Sequence, residues 1–132
     1  MKQLIIFKLI AIFSYLLIIL MGQMIGLPFF VWLLFTLIDF GNPDQIFAFL
    51  GILGLTICFI TFFSTRTLKI LLLDIICFML LASPIVRRLT AAPVDLFNYL
   101  SFIIPTITFV LFYIFSLYFS IRQYILNKKN SV

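Results

Sequence analysis

The sequence contains neither histidine nor glutamate, and only 10% of its 132 residues are charged. Without histidine, the commonest ligand for zinc and haem is missing, and so is the base of serine–histidine hydrolases. The four acidic residues are Asp39, Asp44, Asp74 and Asp95, and their spacing does not match a metal-binding run. We therefore expect no catalytic residues, no metal site and no cofactor, and we predict that the chain is not an enzyme.

Cysteine is scarce as well. Cys58 and Cys77 both lie inside apolar runs, and neither belongs to a CxxC pair or to a loop. This placement argues against a thiol oxidoreductase that relays electrons through exposed disulfides. Because thiols in apolar surroundings behave as small hydrophobic groups, we interpret both as packing residues.

Apolar side chains are what the sequence has in abundance. Hydrophobic residues make up 65% of the chain, whereas a soluble domain carries about a quarter of charged residues. A soluble fold of this size could not hide so much apolar surface, because its exterior must meet water. The composition therefore predicts a single integral membrane domain that covers residues 1–132 and is built from α-helices.

A long apolar run near the N-terminus defines the first predicted span. No charged residue occurs in the thirty residues from 9 to 38, which as a helix would extend about 45 Å, beyond a hydrocarbon core of roughly 30 Å. The segment Gly22–Pro28 contains weak helix formers and ends in proline. We predict a span over residues 4–25 that bends near Gly22–Pro28. An interfacial extension carrying Trp32 follows it.

Turn signals define three further spans. Asn42 suits an N-cap, Pro43 the first helical position and Asp44 the positive end of a helix dipole. Together with polar turns near residues 64–67 and 87–92, they predict spans over residues 43–63, 67–86 and 93–120, followed by a cytoplasmic basic tail over residues 122–132. The predicted fold is a four-transmembrane-helix bundle.

The distribution of basic residues predicts the orientation. The N-terminal side of this topology collects Lys2, Lys8, Arg66, Lys69, Arg122, Lys128 and Lys129, and the opposite side collects Arg87 and Arg88. Because short cytoplasmic loops are enriched in lysine and arginine, both termini are predicted to be cytoplasmic. The small size and short loops favour the cytoplasmic membrane of a bacterium.

An intramembrane charge pair is the most informative feature of the sequence. Asp74 lies about two turns into the third span, where an unpaired carboxylate costs several kcal/mol. Lys8 lies at a similar depth in the first span, counted from the same side. A bond between them would hold the two spans in register. The alternative is a proton or cation site in which Asp74 titrates.

Two other sets of residues are candidates for contacts. Arg87 and Arg88 either anchor the chain at the outer interface, with Asp39 and Asp95 as balancing charges, or bind an anionic lipid or partner. Gly22 and Gly26 form a GxxxG spacing, which with Gln23 permits helix packing inside the bundle or in an oligomer. The candidates are therefore Arg87 and Arg88 for contact with an anionic lipid or partner, and Gly22, Gln23 and Gly26 for helix packing.

Hydroxyl side chains recur along the last span, at Ser101, Thr108 and Ser116. They either line a path for water or bond to their own helix and its neighbours.

A shift of 50 residues aligns the segment from Pro43 with that from Pro93, with seven identities in 21 positions. Because Phe, Ile and Leu are so abundant, this similarity leaves both a repeat and chance open.

Three functions remain open. The favoured one is a non-enzymatic subunit, scaffold or effector that acts through helix–helix contacts, as a homo-oligomer or with a partner membrane protein. The alternative is a small oligomeric channel or transporter for an ion or small solute that uses Asp74 and the hydroxyl-bearing helices. A lipid-handling enzyme is the third. The lipid bilayer is the expected environment, an acidic cytoplasmic partner fits the basic tail, and no nucleic acid is expected.

Overall fold

The computed structural model describes residues 2–21, 26–64 and 67–132. In chain order its elements are helix α1 (Lys2–Leu16), strands β1 (Ile19–Met21) and β2 (Gly26–Pro28), helices α2 (Phe29–Ile38), α3 (Asp44–Phe62) and α4 (Leu68–Ala91), a 3-10 turn (Val94–Phe97) and helix α5 (Leu100–Asn130). Within these ranges, three helices are long and apolar enough to cross a membrane, namely α3, α4 and α5. The chain is therefore a helical membrane protein, as its composition predicts.

Helices α3 and α4 begin within one residue of the predicted positions, because their first turns carry the expected capping groups. The backbone N–H of Asp44 donates to Oδ1 of Asn42 at 3.0 Å. At the start of α4, Oγ1 of Thr67 accepts from the backbone N–H of Ile70. Both contacts satisfy N–H groups that the first turn of a helix leaves unpaired.

The later boundaries differ from the prediction. Helix α4 continues past residue 86 to Ala91 with Pro84 inside it. Pro93 is followed by a 3-10 turn, and α5 begins only at Leu100, so the alignment of Pro43 with Pro93 does not extend to equivalent helix starts. Helix α5 also includes most of the predicted tail. Lys128 and Lys129 lie in its last turn, where positive charge stabilises the negative end of the helix.

The predicted helical span over residues 4–25 is wrong at residues 17–21, where the structure has a turn and a strand instead of a helix. Helix α1 ends at Leu16, and β1 then pairs antiparallel with β2, with Ile19 opposite Pro28. The backbone N–H of Phe29 closes this hairpin on the carbonyl of Ile18 at 2.7 Å. Proline has no N–H to donate and disfavours helical geometry in the residue before it, so Leu27 and Pro28 are extended and belong to a strand. The predicted bend within one helix is therefore a break between two helices, and residues 22–25 lie outside the described ranges.

The helices pack as two closely associated pairs. Helix α3 packs along α4 and α1 packs along α5, with fewer contacts between the pairs. Phe7 of α1 stacks on Phe119, with ring centroids 5.4 Å apart, whereas Tyr15 lies 4.9 Å from Phe109. Because higher residue numbers in α1 meet lower ones in α5, the two helices are antiparallel. The start of α1 and the end of α5 therefore lie at the same end of the bundle.

Two glycines allow α3 to approach its neighbours closely. A Cβ atom at Gly51 would lie 2.9 Å from Cγ of Pro84, and one at Gly54 would lie 3.2 Å from the backbone nitrogen of Leu81. These distances are shorter than ordinary van der Waals contact, so neither position has room for a side chain without movement. Small residues at helix interfaces are a common means of packing helices in membranes. The ring of Pro84 thus fills a space that Gly51 leaves open.

Candidate functional site

A cluster of three polar side chains lies buried between helices α1, α3 and α4. Nζ of Lys8 donates to Oδ1 of Asp74 at 2.6 Å and to Oγ1 of Thr61 at 2.9 Å. Only 1% of Lys8 and 3% of Asp74 is exposed, and Thr61 is fully buried. The structure thus brings together the two charged residues that the sequence pairs, and it adds a hydroxyl group from a third helix.

The Thr61 hydroxyl links the two charges. Its Oγ1 atom lies 2.9 Å from Oδ1 of Asp74 and 3.1 Å from the carbonyl oxygen of Cys58. The hydroxyl has a single proton, and an ionised carboxylate is a stronger acceptor than a carbonyl. We therefore assign the proton to the bond with Asp74, so that one carboxylate oxygen receives both Lys8 and Thr61.

Helix α5 joins the cluster through the backbone of α4. The hydroxyl of Tyr113 donates to the carbonyl oxygen of Asp74 at 3.1 Å and lies 3.9 Å from Sγ of Cys58. A carbonyl oxygen has two lone pairs, so it accepts this bond in addition to a helical one. The polar groups of the cluster therefore connect α1, α3, α4 and α5.

Both cysteines are buried next to this cluster and carry free thiols. Sγ of Cys77 donates to the carbonyl oxygen of Gly54 at 2.9 Å, which adds a bond between α4 and α3. Cys58 faces Tyr113. These contacts fit the interpretation of both cysteines as packing residues, with weak hydrogen bonding added.

The cluster is chemically suited to neutralising charge inside an apolar bundle. A charged side chain in a membrane helix is costly unless it is paired, and here an ammonium and a carboxylate share a direct bond. Removing one partner of a buried pair typically costs about 3–5 kcal/mol, whereas replacing both with apolar groups is often neutral. The pair therefore fixes how the helices fit together more than it adds net stability.

The arginine pair makes different contacts from those predicted. Nε of Arg87 donates to Oδ1 of Asp44 at 2.7 Å, and its guanidinium lies over the ring of Phe47. The guanidinium of Arg88 lies 5.6 Å from the ring centroid of Trp32. The predicted balancing by Asp39 and Asp95 is therefore wrong for Arg87, because Asp44 at the start of α3 supplies its counter-charge.

One member of the predicted glycine packing motif, Gly26, does not lie on a helix. Gly26 lies in strand β2, paired with Met21 of β1, so its predicted role in helix packing is wrong. Gly22 and Gln23 lie outside the described residues. The close helix approach that the motif was expected to provide is found instead at Gly51 and Gly54 of α3.

The hydroxyl residues of α5 differ in exposure and in the contacts that they make. Ser116 is buried and Ser101 is half-buried. Thr108 donates to the carbonyl oxygen of Ile104 on its own helix at 2.8 Å. For Thr108, this is the local backbone bonding that such residues commonly make in membrane helices.

Thr61 and Tyr113 are the members of the cluster that the sequence does not identify as partners. Their polarity within apolar runs is the only signal that they give, and other hydroxyl residues give the same signal.

Within the described ranges, no group of three or more Cys, Asp, Glu or His residues is placed to hold a metal ion. Comparisons of the chain with protein-family models, with curated proteins and with solved structures found no match.

Proposed function

We propose that this chain is a non-enzymatic membrane component that acts as a subunit, scaffold or effector through helix–helix contacts. The observation that carries the proposal is the Lys8–Thr61–Asp74 cluster. Its ammonium and carboxylate are bonded directly to each other, between three helices, with almost no exposure. A titrating or ion-binding carboxylate needs access to its ion, and this geometry favours a structural bond instead.

The proposed topology has four crossings, of which α1 provides the first. Its 15 residues extend about 22 Å as a helix, less than a hydrocarbon core of roughly 30 Å. Strand β1, with three residues, adds about 10 Å at 3.3 Å per residue. Helix α1 and strand β1 together are therefore long enough to cross.

The surroundings of β1 support this topology. Non-helical backbone at membrane depth is tolerated where protein surrounds it and its polar groups are paired. Strand β1 pairs with β2, and the side chains of Ile18 and Leu20 are buried. Strand β2 is more exposed, with Gly26 and Leu27 on the surface, which fits a position near the interface.

We place both termini on the cytoplasmic side of a bacterial cytoplasmic membrane. The antiparallel packing of α1 and α5 supports a common side for the termini, and the seven basic residues that accompany them support the inside. Fusion of a fluorescent protein or of alkaline phosphatase to Val132 tests this. Fluorescence without phosphatase activity is expected, and the opposite pattern would overturn the orientation.

The function is tested by two measurements on the same protein. A photo-crosslinking residue placed on an exposed face, at Phe35, Met79 or Ile114, is expected to give a discrete protein adduct in intact membranes, with a second copy or another membrane protein. The same residue at the fully buried Leu81 is the control and should give none. If no exposed position gives an adduct, the scaffold proposal fails.

The second measurement addresses the channel alternative. Purified protein in liposomes is expected to give no proton or cation flux above that of empty liposomes. The control is the double variant Lys8→Met/Asp74→Leu, which removes both charges and keeps the volume similar. Flux through the natural protein that this variant loses while still folded would show that Asp74 conducts.

A further inference from the structure

An apolar groove runs along the outside of the bundle between α1 and α3. It has a volume of about 590 Å³. Its lining residues are all apolar: Ile5, Leu9, Ile12, Leu16, Leu55, Phe59, Phe62 and Phe63. The groove exists because α1 packs on α5 and α3 packs on α4, which leaves few contacts between α1 and α3.

One wall of the groove continues into a positive charge. Ile5, Leu9, Ile12 and Leu16 form a stripe along α1, at the spacing of three and four residues that places side chains on one face. Lys2 precedes Ile5 by three residues and is exposed, so it extends the same stripe by one turn. Lys2 therefore lies on the same face of α1, one turn beyond the residues that line the groove.

The length of the groove matches one leaflet of a bilayer. The helix rises about 16 Å along its axis between Ile5 and Leu16. A hydrocarbon core of roughly 30 Å contains two layers of acyl chains, each about 15 Å deep. A transmembrane helix of a partner would need a contact face about twice as long.

The end of the bundle at which the groove terminates is basic. Lys8, Thr61 and Asp74 meet near the start of α1, the end of α3 and the start of α4, and α5 ends on the same side because it is antiparallel to α1. Among the described residues, the exposed cations of these helix ends are Lys2, Lys69, Arg122, Lys128 and Lys129. Positive charge at this level attracts anionic lipid head groups.

We propose that this groove is a binding site for an anionic phospholipid. One acyl chain lies between α1 and α3, and the phosphate of the head group lies against Lys2. The apolar walls give affinity for the chain, and Lys2 gives preference for a negative head group. The site does not depend on the proposed scaffold role, since it uses the outer face of the bundle and not the buried cluster.

A tryptophan placed in the groove tests the proposal. In a Trp32→Phe background, Phe59→Trp puts the reporter on the groove wall at a position that is 73% exposed. The protein is reconstituted in mixtures of phosphatidylcholine with brominated phosphatidylglycerol or with brominated phosphatidylcholine, because bromine quenches tryptophan on contact. The brominated anionic lipid is expected to bind at the reporter about fivefold more strongly than the zwitterionic one.

Two controls separate the groove from the rest of the lipid-facing surface. Ile75→Trp in the same background reports from an exposed position on α4 that is turned about 120° away from Lys69, and is expected to show no head-group preference. In the groove reporter, Lys2→Gln should abolish the preference. Lys129→Gln removes one positive charge from the same end of the bundle. Because Lys129 is on α5, which does not line the groove, this change should leave the preference unchanged.

Equal quenching by both brominated lipids at the groove reporter would overturn the proposal, whether or not the Lys2→Gln variant inserts. Weak quenching by either lipid, together with a crosslinked dimer through the groove, would assign the groove to a second copy of the chain and would also overturn it. Retained preference in Lys2→Gln would reject the role of that lysine.

Discussion

Lys8 and Asp74 are 66 residues apart in the chain, and their side chains meet at 2.6 Å inside the bundle. Further hydrogen bonds surround this one: the hydroxyl of Thr61 bonds to both Lys8 and Asp74, and the hydroxyl of Tyr113 donates to the backbone carbonyl of Asp74. Each contact requires a particular rotation of its helix about its own axis. The cluster therefore selects one arrangement of four helices whose outer surfaces are nearly uniform in chemistry.

Replacing Asp74 with asparagine is expected to destabilise the protein strongly. The change leaves the Lys8 ammonium buried without its counter-charge, at a cost of about 3–5 kcal/mol. Reversible unfolding by a denaturing detergent in mixed micelles measures this loss. Asp95→Asn removes a carboxylate that is exposed and should change the free energy of unfolding by less than about 0.5 kcal/mol. A similar loss in both variants would contradict the pairing.

The double variant Lys8→Met/Asp74→Leu is expected to recover most of that stability. Apolar residues of similar volume remove both desolvation costs, so the free energy of unfolding should return to within about 1 kcal/mol of the natural protein or exceed it. Thr61 retains the carbonyl of Cys58 as an acceptor. A double-mutant cycle with the two single variants gives the coupling energy. Additive losses would mean that the two charges do not stabilise each other.

A methyl group at Gly54 is expected to push α3 away from α4. The added Cβ would lie 3.0 Å from Cβ of Leu80 and 3.2 Å from the backbone nitrogen of Leu81. Backbone cannot swing aside as a long side chain can, so Gly54→Ala should cost about 1–3 kcal/mol in the free energy of unfolding. Ile60→Ala, on the lipid-facing side of α3, is the matched control. The prediction fails if both variants unfold at the same detergent fraction.

The ion pair at the other end of the bundle is expected to matter much less. Arg87 and Asp44 are partly exposed, and exposed pairs contribute about 0.2–1 kcal/mol. Arg87→Met should therefore lower the free energy of unfolding by less than about 1 kcal/mol, and high salt should remove the difference. Stability measured at low and high ionic strength provides the check. A large loss that persists in salt would show that this pair behaves as a buried one.

The sequence contains enough information to pair Lys8 with Asp74, because the two opposite charges lie at similar depth in their predicted spans, counted from the same side. It does not identify Thr61 or Tyr113 as their partners. Helices that are apolar on every side carry little information about which face turns inward. Which hydroxyl groups contact the buried charges therefore depends on how the helices pack, and the sequence of a single helix does not show this.

The break after Leu16 illustrates a second limit. Residues 16–21 are all apolar, and an apolar run of this length has the same appearance as a buried strand or as part of a buried helix. Pro28 was the one sequence signal of this break, and it was interpreted as a kink within a continuous helix. In the structure it ends a strand that pairs with Ile19–Met21, a contact between segments that periodicity does not detect.

The distance of 66 residues between Lys8 and Asp74 also has a consequence for synthesis. At about 5–20 residues per second, roughly 3–13 seconds separate the translation of the two residues. Helix α1 is therefore made while its lysine has no carboxylate to bind, and during that interval the long side chain can reach the aqueous boundary. Thr61 and Asp74 are made close together, so the receptor for the lysine assembles on the α3–α4 hairpin. The ammonium can bind this receptor only after Asp74 of α4 has been made.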